Sequence, residues 1–412
     1  MVAGLRFALA PEATATALLF VAVGVVLGIA SGLVPGLHVN AFALLLAAAA
    51  QAVPGPPRFV AAAMLAAGTV HTFLDVVPTL ALGVPDPAMA ASALPGHRLV
   101  IEGRGREALR LSALGSGLAV AFAVPLAVPV TAAMTRLYPV LSDALPLVLL
   151  AIVGLLLLTE PSLPAAAAGA VAFLASSALG AVVLDQPAAG VVPAGSMLAP
   201  LFAGLFGAPV LLDAIGGEGV PEQEGPQIAT PRSVVGATAL VGTVSGAVVG
   251  FLPGVSAAIA AALALHLVPA DTGARGFVVA TSGVNTANAV FALFALATLG
   301  TPRTGVMVAV ERSNAPVVLP LLLASVGVAS AVGFVLVTAV GDPYLRTVGR
   351  MDYARVSVAV LALLAVLSFL FAGPLGVAAF VAAGLVGLLP TRLGTRRVHL
   401  MGVLIGPLIL GL

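Results

Sequence analysis

The sequence predicts an all-α polytopic membrane protein, and three observations support this fold class. Hydrophobic residues make up 61% of the 412 residues and charged residues only 8%, whereas about a quarter of a typical soluble domain is charged. Apolar stretches recur along the whole chain, separated by short polar connections. A glycine-rich pattern that ends in Pro-Gly occurs twice. Together these features predict about 10–12 transmembrane segments in two inverted repeats, some of them re-entrant or broken.

The first apolar run ends in a polar stretch, GLVPGLHVN, at residues 32–40. Because proline removes a backbone donor and glycine permits left-handed geometry, the helix is predicted to end at Pro35-Gly36, inside the membrane. The apolar run that follows this break, at 37–53, and a second one at 255–269 are both short. A spanning helix needs about seventeen residues or more, so these two runs are predicted to be half-helices or re-entrant segments.

An internal duplication organises the chain. The pattern GVVLGIASGLVPG, which begins at Gly24, reappears as GTVSGAVVGFLPG from Gly242. A second pair, TLALGVP and LATLGTP, follows in the same order. A Gly/Pro-rich stretch with three glutamates lies between the two copies. We therefore predict a first transmembrane repeat at 1–215, a polar linker at 216–232 and a second transmembrane repeat at 233–412.

Paired helix breaks at corresponding points of two repeats are typical of a secondary transporter site. Backbone groups freed inside a bilayer are tolerated only when they are buried in protein or face a wet cavity. The N-terminal ends of the half-helices that follow favour an anionic ligand. The glycines alone are equally well explained by close helix packing. The predicted substrate-binding residues are Pro35, Gly36, His38, Asn40, Pro253, Gly254, Ser256, Asn285 and Asn288.

His71 and Asp75 lie four residues apart, on one face of a predicted helix. Ionisable groups inside a membrane are costly, so both are functional candidates, and we predict that they couple transport to Na⁺ or H⁺. The alternative is that His71 and Asp75 form a structural pair. Likewise, the alternative for Asn285 and Asn288 is that they only form hydrogen bonds between helices. His38, His71 and Asp75 lack a recognisable metal-ligand spacing, so we predict no metal site and no cofactor beyond the coupling ion.

Other function classes find less support. The net charge of +1 gives no basic field for nucleic acid, and the absence of cysteine excludes disulfides and thiolate chemistry. An intramembrane enzyme would depend on His71 and Asp75 for acid–base work, since no base lies near the serines of TSGVN or LGSGL in the sequence. We predict no catalytic residue. Three acidic residues at segment ends are expected to face water, namely Glu160, Asp213 and Glu311.

Several motifs resemble those of TctA, the large membrane subunit of tripartite tricarboxylate transporters. In the first half they are GLVPGLH, GTVHTFLDVVPTLALGVPD and ALPGHRLVIEGRGREALRLSALGSGLA. In the second half they are GFLPGVSAA and NTANAVFALFALATLGTPRTGVMVA. The resemblance implies an ion-gradient-driven transporter with two repeats, in which Pro35, Gly36, Pro253 and Gly254 form the site. His38 and Asn40 depart from the small residues usual in the bacterial motif.

The leading hypothesis is a multi-pass permease of the cell membrane that moves a small organic anion together with Na⁺ or H⁺, and the expected anion is a carboxylate. The alternative is a translocase for polyprenyl-phosphate or another anionic lipid, because PGVSAA also resembles the PGVSGG motif of such a family. The resemblance implies a small membrane subunit and an extracytoplasmic binding protein as partners. A second copy of the chain, forming a homodimer, is a further expected partner.

Overall fold

A computed structural model describes residues 10–50, 52–83, 93–192, 197–216, 219–252, 255, 257–264, 267–268 and 272–412. The part of the chain so described is helical, with no strand in it. The prediction of an all-α polytopic membrane protein is confirmed.

Within the described residues, ten α-helices precede the linker. They are α1 (Pro11–Gly32), α2 (Val39–Ala50), α3 (Pro57–Leu74), α4 (Val76–Leu82), α5 (Ala93–Ile101), α6 (Gly105–Asp143), α7 (Leu145–Leu158), α8 (Leu163–Val183), α9 (Leu198–Phe202) and α10 (Ala208–Ala214). A single π-helical stretch, Ala203–Gly207, joins the last two.

Eight α-helices of the described part of the chain follow the linker. They are α11 (Arg232–Phe251), α12 (Ala257–Ala264), α13 (Gly273–Leu299), α14 (Gly305–Arg312), α15 (Leu319–Val348), α16 (Tyr353–Gly387), α17 (Leu389–Leu393) and α18 (Gly402–Leu410). A sharp kink divides α16, where Gly373 takes the non-helical φ of 67°. A 3₁₀ turn, Arg397–Met401, leads into α18.

Among the described residues, 8 helical stretches are long and apolar enough to cross a membrane, and three shorter apolar ones accompany them. The eight long stretches are fewer than the 10–12 segments predicted. The difference arises because some apolar runs form helices too short to span, such as α7 with 14 residues.

A short helix follows the first helix break. Gly36 has φ 73°, a left-handed conformation that glycine adopts without strain. The chain then enters α2, which is only 12 residues long. In the second half α12 is shorter still, at 8 residues. Both short helices lie within the runs that the sequence predicted to be half-helices.

Glycine ladders hold each first helix against its neighbour. A Cβ at Gly28 would lie 2.5 Å from the carbonyl oxygen of Ala67, and one at Gly32 would lie 3.0 Å from that of His71. In the second half, a Cβ at Gly242 would lie 2.5 Å from the carbonyl oxygen of Ala280. In each pair the residue number of the contact on the second helix increases as the residue number on the first helix increases. The helices α1 and α3 are therefore parallel, and so are α11 and α13.

Contacts between the halves fix their relative directions. Glu107 pairs with Arg275 and Ser112 with Ser282, so α6 and α13 are parallel. Leu109 contacts Gly341 whereas Gly117 contacts Phe334, so α6 and α15 are antiparallel. The α15 helix in turn follows α3 in parallel, with Leu321 beside Phe59 and Gly333 against Phe73. The corresponding helices α3 and α13 therefore run in opposite directions.

The helices α5 and α6 meet at a polar junction around Gly103. The linker docks on this junction, because the Gly105 amide donates to Gln223 at 2.7 Å and the Glu224 amide donates to the Gly103 carbonyl at 2.7 Å. Buried Glu107 accepts from the Ala229 amide at 3.0 Å, in addition to its pairing with Arg275. The linker is thus tied to the first half and lies beside a salt bridge between the halves.

Candidate functional site

A polar cavity of about 200 Å³ lies between the two halves, beside the residues that follow the break after α1. It is lined by residues of α2, α3, α13 and α14, together with Phe202, Val249, Val255, Met401 and Leu404. Its polar lining residues are His38, Asn40, Thr69, Thr72, Asn285, Asn288, Arg303 and Thr304. The described lining includes an arginine and a histidine but no acidic residue, and this composition favours an anion.

Three helices begin at the wall of this cavity. The α2 helix begins at Val39, α12 begins at Ala257, and α14 follows the capping residue Thr304, all of which line the cavity. Each helix N-terminus carries unsatisfied N–H groups and the positive end of the helix dipole. The Thr304 hydroxyl accepts from the Met307 amide at 3.3 Å, which satisfies only one of the donors of α14.

His38 and Asn40 are positioned by the turn that follows Gly36. The ring of His38 packs against Phe202, with the ring centroids 5.6 Å apart. The side-chain Oδ1 atom of Asn40 accepts a hydrogen bond from the Gly305 amide at 2.8 Å. Asn40 therefore links α2 in the first half to the N-terminus of α14 in the second half by a hydrogen bond.

Asn285 and Asn288 also reach the cavity, from the middle of α13. Asn285 donates from Nδ2 to the Oδ2 atom of Asp75 at 3.1 Å. The Oδ1 atom of Asn288 is buried and has no hydrogen-bond partner among the described residues. Asn285 thus connects the cavity to a carboxylate on α3, and Asn288 offers an acceptor for a ligand.

The predicted coupling residues lie behind the cavity wall. His71 is fully buried, with its Nδ1 atom 2.9 Å from the Ser31 hydroxyl and its ring stacked on Phe42. Asp75 is 4% exposed and stands where α3 passes into α4, its carboxylate bound to Asn285. Neither residue contributes to the cavity lining.

Arg303 is the residue that the sequence analysis missed. Its guanidinium lies over the ring of Tyr138, 4.9 Å from the centroid, and donates to the Tyr138 hydroxyl at 2.5 Å. Its Nε atom is buried without a hydrogen-bond partner in the described structure. The signal was present in the sequence, because Arg303 directly follows the repeated motif LATLGTP.

The structure brings four predicted binding residues to one cavity, namely His38, Asn40, Asn285 and Asn288. Pro35 and Gly36 are outside its lining, and a Cβ at Gly36 would meet the side chain of Leu364 at 2.5 Å. The predicted residues Pro253, Gly254 and Ser256 lie outside the described residues. Within the described chain, no group of three or more potential ligands could hold a metal ion.

Comparisons with known proteins identify the family of the chain. The sequence profile of the tripartite tricarboxylate transporter TctA family matches residues 18–402. An uncharacterised protein of Methanocaldococcus jannaschii is 25% identical over 407 residues, which cover 95% of this chain and 98% of the relative. No solved structure matches the chain.

Proposed function

The chain belongs to the tripartite tricarboxylate transporter TctA family, and we propose that it is a secondary active permease that binds a small carboxylate in the polar cavity. The substrate carboxylate groups accept hydrogen bonds from Arg303 and lie near the positive ends of the helix dipoles at the starts of α2, α12 and α14. His38, Asn285 and Asn288 complete the site. The protein acts as a multi-pass membrane transporter and not as an enzyme.

The observation that carries this proposal is the charge of the cavity. One guanidinium and three helix N-termini converge on a space whose described lining has no carboxylate. Tyr138 holds the guanidinium by a hydrogen bond and by its ring face, which fixes its direction. A guanidinium held in this way suits the planar, bidentate recognition of a carboxylate.

The coupling ion, Na⁺ or H⁺, acts in this proposal through Asp75. A cation or proton bound at the Asp75 carboxylate changes the charge of the group that accepts the hydrogen bond from Asn285. Because Asn285 lies on the cavity wall, this change reaches the substrate site. His71 supports the same region by fixing Ser31 at the end of α1. Ion occupancy and substrate occupancy are therefore linked through one hydrogen bond, and reciprocity requires that each changes the affinity for the other by the same factor.

Opposite directions of α3 and α13 also support an inverted repeat, with units at 1–215 and 233–412 joined by the linker 216–232. Such a repeat provides two related conformations that open the site to either side of the membrane. The Pro-Gly breaks Pro35-Gly36 and Pro253-Gly254, with Ser256, contribute in this proposal by ending α1 and α11 near the site. Proteins of this family normally work with a small membrane subunit and a binding protein, and we extend those partners to this chain, together with a homodimer.

The test is binding of citrate to the purified full-length protein and citrate counterflow in proteoliposomes. Arg303→Gln removes the cation but keeps a polar side chain, and we expect affinity for citrate to fall about 10-fold or more. Arg136→Gln is the matched control, since Arg136 is exposed on the same helix as Tyr138. Unchanged citrate binding and counterflow in Arg303→Gln would disprove the assignment of the polar cavity.

A further inference from the structure

A second cavity, of about 560 Å³, lies beside the linker. It has no lining residue in common with the polar cavity. Its polar lining side chains are His97, Asp213, Tyr353 and Arg397, and the linker residues Gly219, Val220 and Pro221 form another wall. We call it the linker cavity, and we propose that it is a second binding site, for an oxyanion that also carries a hydrogen-bond donor such as a hydroxyl group.

Arg397 is the strongest sign of a ligand. Its side chain is 6% exposed, and its ion pair with Asp213 is long, at 3.7 Å, to a carboxylate that is itself half exposed. The Nε and Nη1 atoms of Arg397 are buried and have no hydrogen-bond partner among the described residues. Charged donors that are buried without a hydrogen-bond partner destabilise the folded state. A carboxylate or phosphate in the linker cavity offers two oxygens to a guanidinium, the bidentate arrangement that arginine favours.

Tyr353 supplies a second donor. It is 8% exposed, and its hydroxyl group is buried without a hydrogen-bond partner in the described structure. Tyr353 stands at the first residue of α16, on the wall of the same cavity as Arg397. Two unpartnered donors from separate elements therefore line one space, and both suit the oxygens of an anion.

His97 and Asp213 define the rest of the ligand. The Nδ1 atom of His97 lies 2.7 Å from the Leu80 carbonyl, so this nitrogen carries the proton and the Nε2 atom of the neutral ring is an acceptor. Burial lowers the pKa of His97, and the hydrogen bond to Leu80 offsets only part of that effect. Asp213 is a further acceptor. The Asp213 carboxylate would repel an anion that has no hydrogen-bond donor. An anion that carries a hydroxyl group can instead donate a hydrogen bond to Asp213 or His97.

The walls of the linker cavity come from both halves and from the linker between them. Asp213 belongs to α10 before the linker, whereas Tyr353 and Arg397 follow it. The 3₁₀ turn that holds Arg397 ends at Met401, which lines the polar cavity. A ligand here binds elements of the two halves together, so its affinity depends on their relative position, and it shifts the population of transport states.

The experiment measures citrate binding to the full-length protein in the Arg303→Gln background, where binding at the polar cavity is weakened. Citrate has a hydroxyl group and tricarballylate is the same tricarboxylate without it, so the pair tests the acceptors. We expect a residual saturable site that prefers citrate to tricarballylate. Adding Arg397→Gln should weaken that site about 10-fold or more. If Arg303→Gln alone removes all saturable citrate binding, the proposal is overturned, whatever the outcome for the polar cavity.

Because Arg397 is buried, its replacement can also disturb folding, and Tyr353→Phe provides the cleaner variant. The lost hydroxyl has no partner in the described structure, so thermal stability without ligand should not fall. Affinity for citrate at the residual site should fall roughly threefold to tenfold. Tyr353→Phe with unaltered citrate affinity overturns the proposal.

The oxyanion could come from a lipid headgroup or from a free anion, and repeating the titration in nanodiscs with and without anionic phospholipid separates these two sources. Competition by the lipid assigns the site to a lipid headgroup, and the absence of competition assigns it to a free anion.

Discussion

The two halves of the molecule share a backbone plan and differ in the chemistry they place on it. The motifs TLALGVP and LATLGTP end their helices with the same device, because Gly83 and Gly300 both take left-handed conformations, at φ 68° and φ 63°. In each half a glycine ladder holds the first helix against the third. The shared features are therefore those that shape the backbone.

The side chains around the cavity differ between the halves. When the repeated motifs are superposed, His71 corresponds to Asn288 and Asp75 corresponds to Ala292. Arg303 corresponds to Asp86, a residue outside the described part of the chain. The first half thus contributes the buried carboxylate and the second half the cation of the cavity. The comparison teaches that the repeated motifs keep the features of the backbone, whereas their charged side chains differ. Our proposal assigns ion coupling to the first half and anion recognition to the second.

The largest effect is expected where the shared backbone plan is broken. Gly36→Leu forces a left-handed conformation on a residue with a side chain, which costs about 1–2 kcal/mol, and its Cβ meets Leu364 at 2.5 Å. We expect membrane insertion to persist and citrate counterflow to be lost, because α2 and its N-terminus would shift. The same loss is expected for Gly254→Leu in the second half.

The matched control is Gly327→Leu, because Gly327 has open space around its Cβ position on the outer face of α15. It should leave counterflow intact. Normal counterflow in both Gly36→Leu and Gly254→Leu would mean that the two breaks serve only packing.

Sequence patterns gave the parts of the site that depend on local chain chemistry. Pro-Gly and the glycine ladder act through nearest neighbours and helix faces, so the break after α1 and the positions of His38 and Asn40 were predictable. Arg303 was missed because its importance depends on Tyr138, a residue on another helix that no local pattern connects to it. The helix α5 was missed because its stretch, ALPGHRLVI, contains proline, glycine and two basic residues, which favour a loop.

Glu160 shows the same limit more clearly. Its position at the end of an apolar segment predicted a water-facing side chain, and that prediction was wrong. The side chain is 1% exposed and accepts hydrogen bonds from Arg396 at 2.6 Å and from His399 at 2.7 Å. Both partners lie in the second half of the chain, so only the folded structure brings them to Glu160.

The second prediction concerns the residue that most distinguishes the halves. Asp75→Asn keeps the size of the side chain and an oxygen that can accept from Asn285, but removes the charge. We expect expression and thermal stability to remain near normal, and the dependence of counterflow on Na⁺ or pH gradients to flatten. Asp185→Asn, at an exposed position after α8, is the control and should leave this dependence unchanged.

A structural salt bridge would give the reverse pattern for Asp75→Asn. Expression or thermal stability would fall, while the surviving protein would keep its full dependence on the ion gradient. Measuring both quantities on the same preparation separates coupling from folding, and the second outcome would remove Asp75 from the proposed mechanism.

The smallest effect is expected at the ionic contact that joins Glu160 of the first half to Arg396 and His399 of the second. Burial raises the pKa of Glu160, but the hydrogen bonds from Arg396 and His399 outweigh it, so the pKa lies below the ordinary value of 4.5. A carboxylate with a lowered pKa stabilises the folded state at pH values above that ordinary value, and this contribution is lost as the pH falls through the lowered pKa.

Glu160→Gln should therefore lower the thermal midpoint at neutral pH and reduce the decline of that midpoint in acid. Circular dichroism of the protein in detergent measures both, with Glu102→Gln as the control, since Glu102 forms an exposed pair with Arg98. If Glu160→Gln and the parent protein lose stability in parallel as the pH falls below 4.5, the contact does not contribute to the acid sensitivity of the fold, and the two halves are held together by apolar packing and the Glu107–Arg275 pair instead.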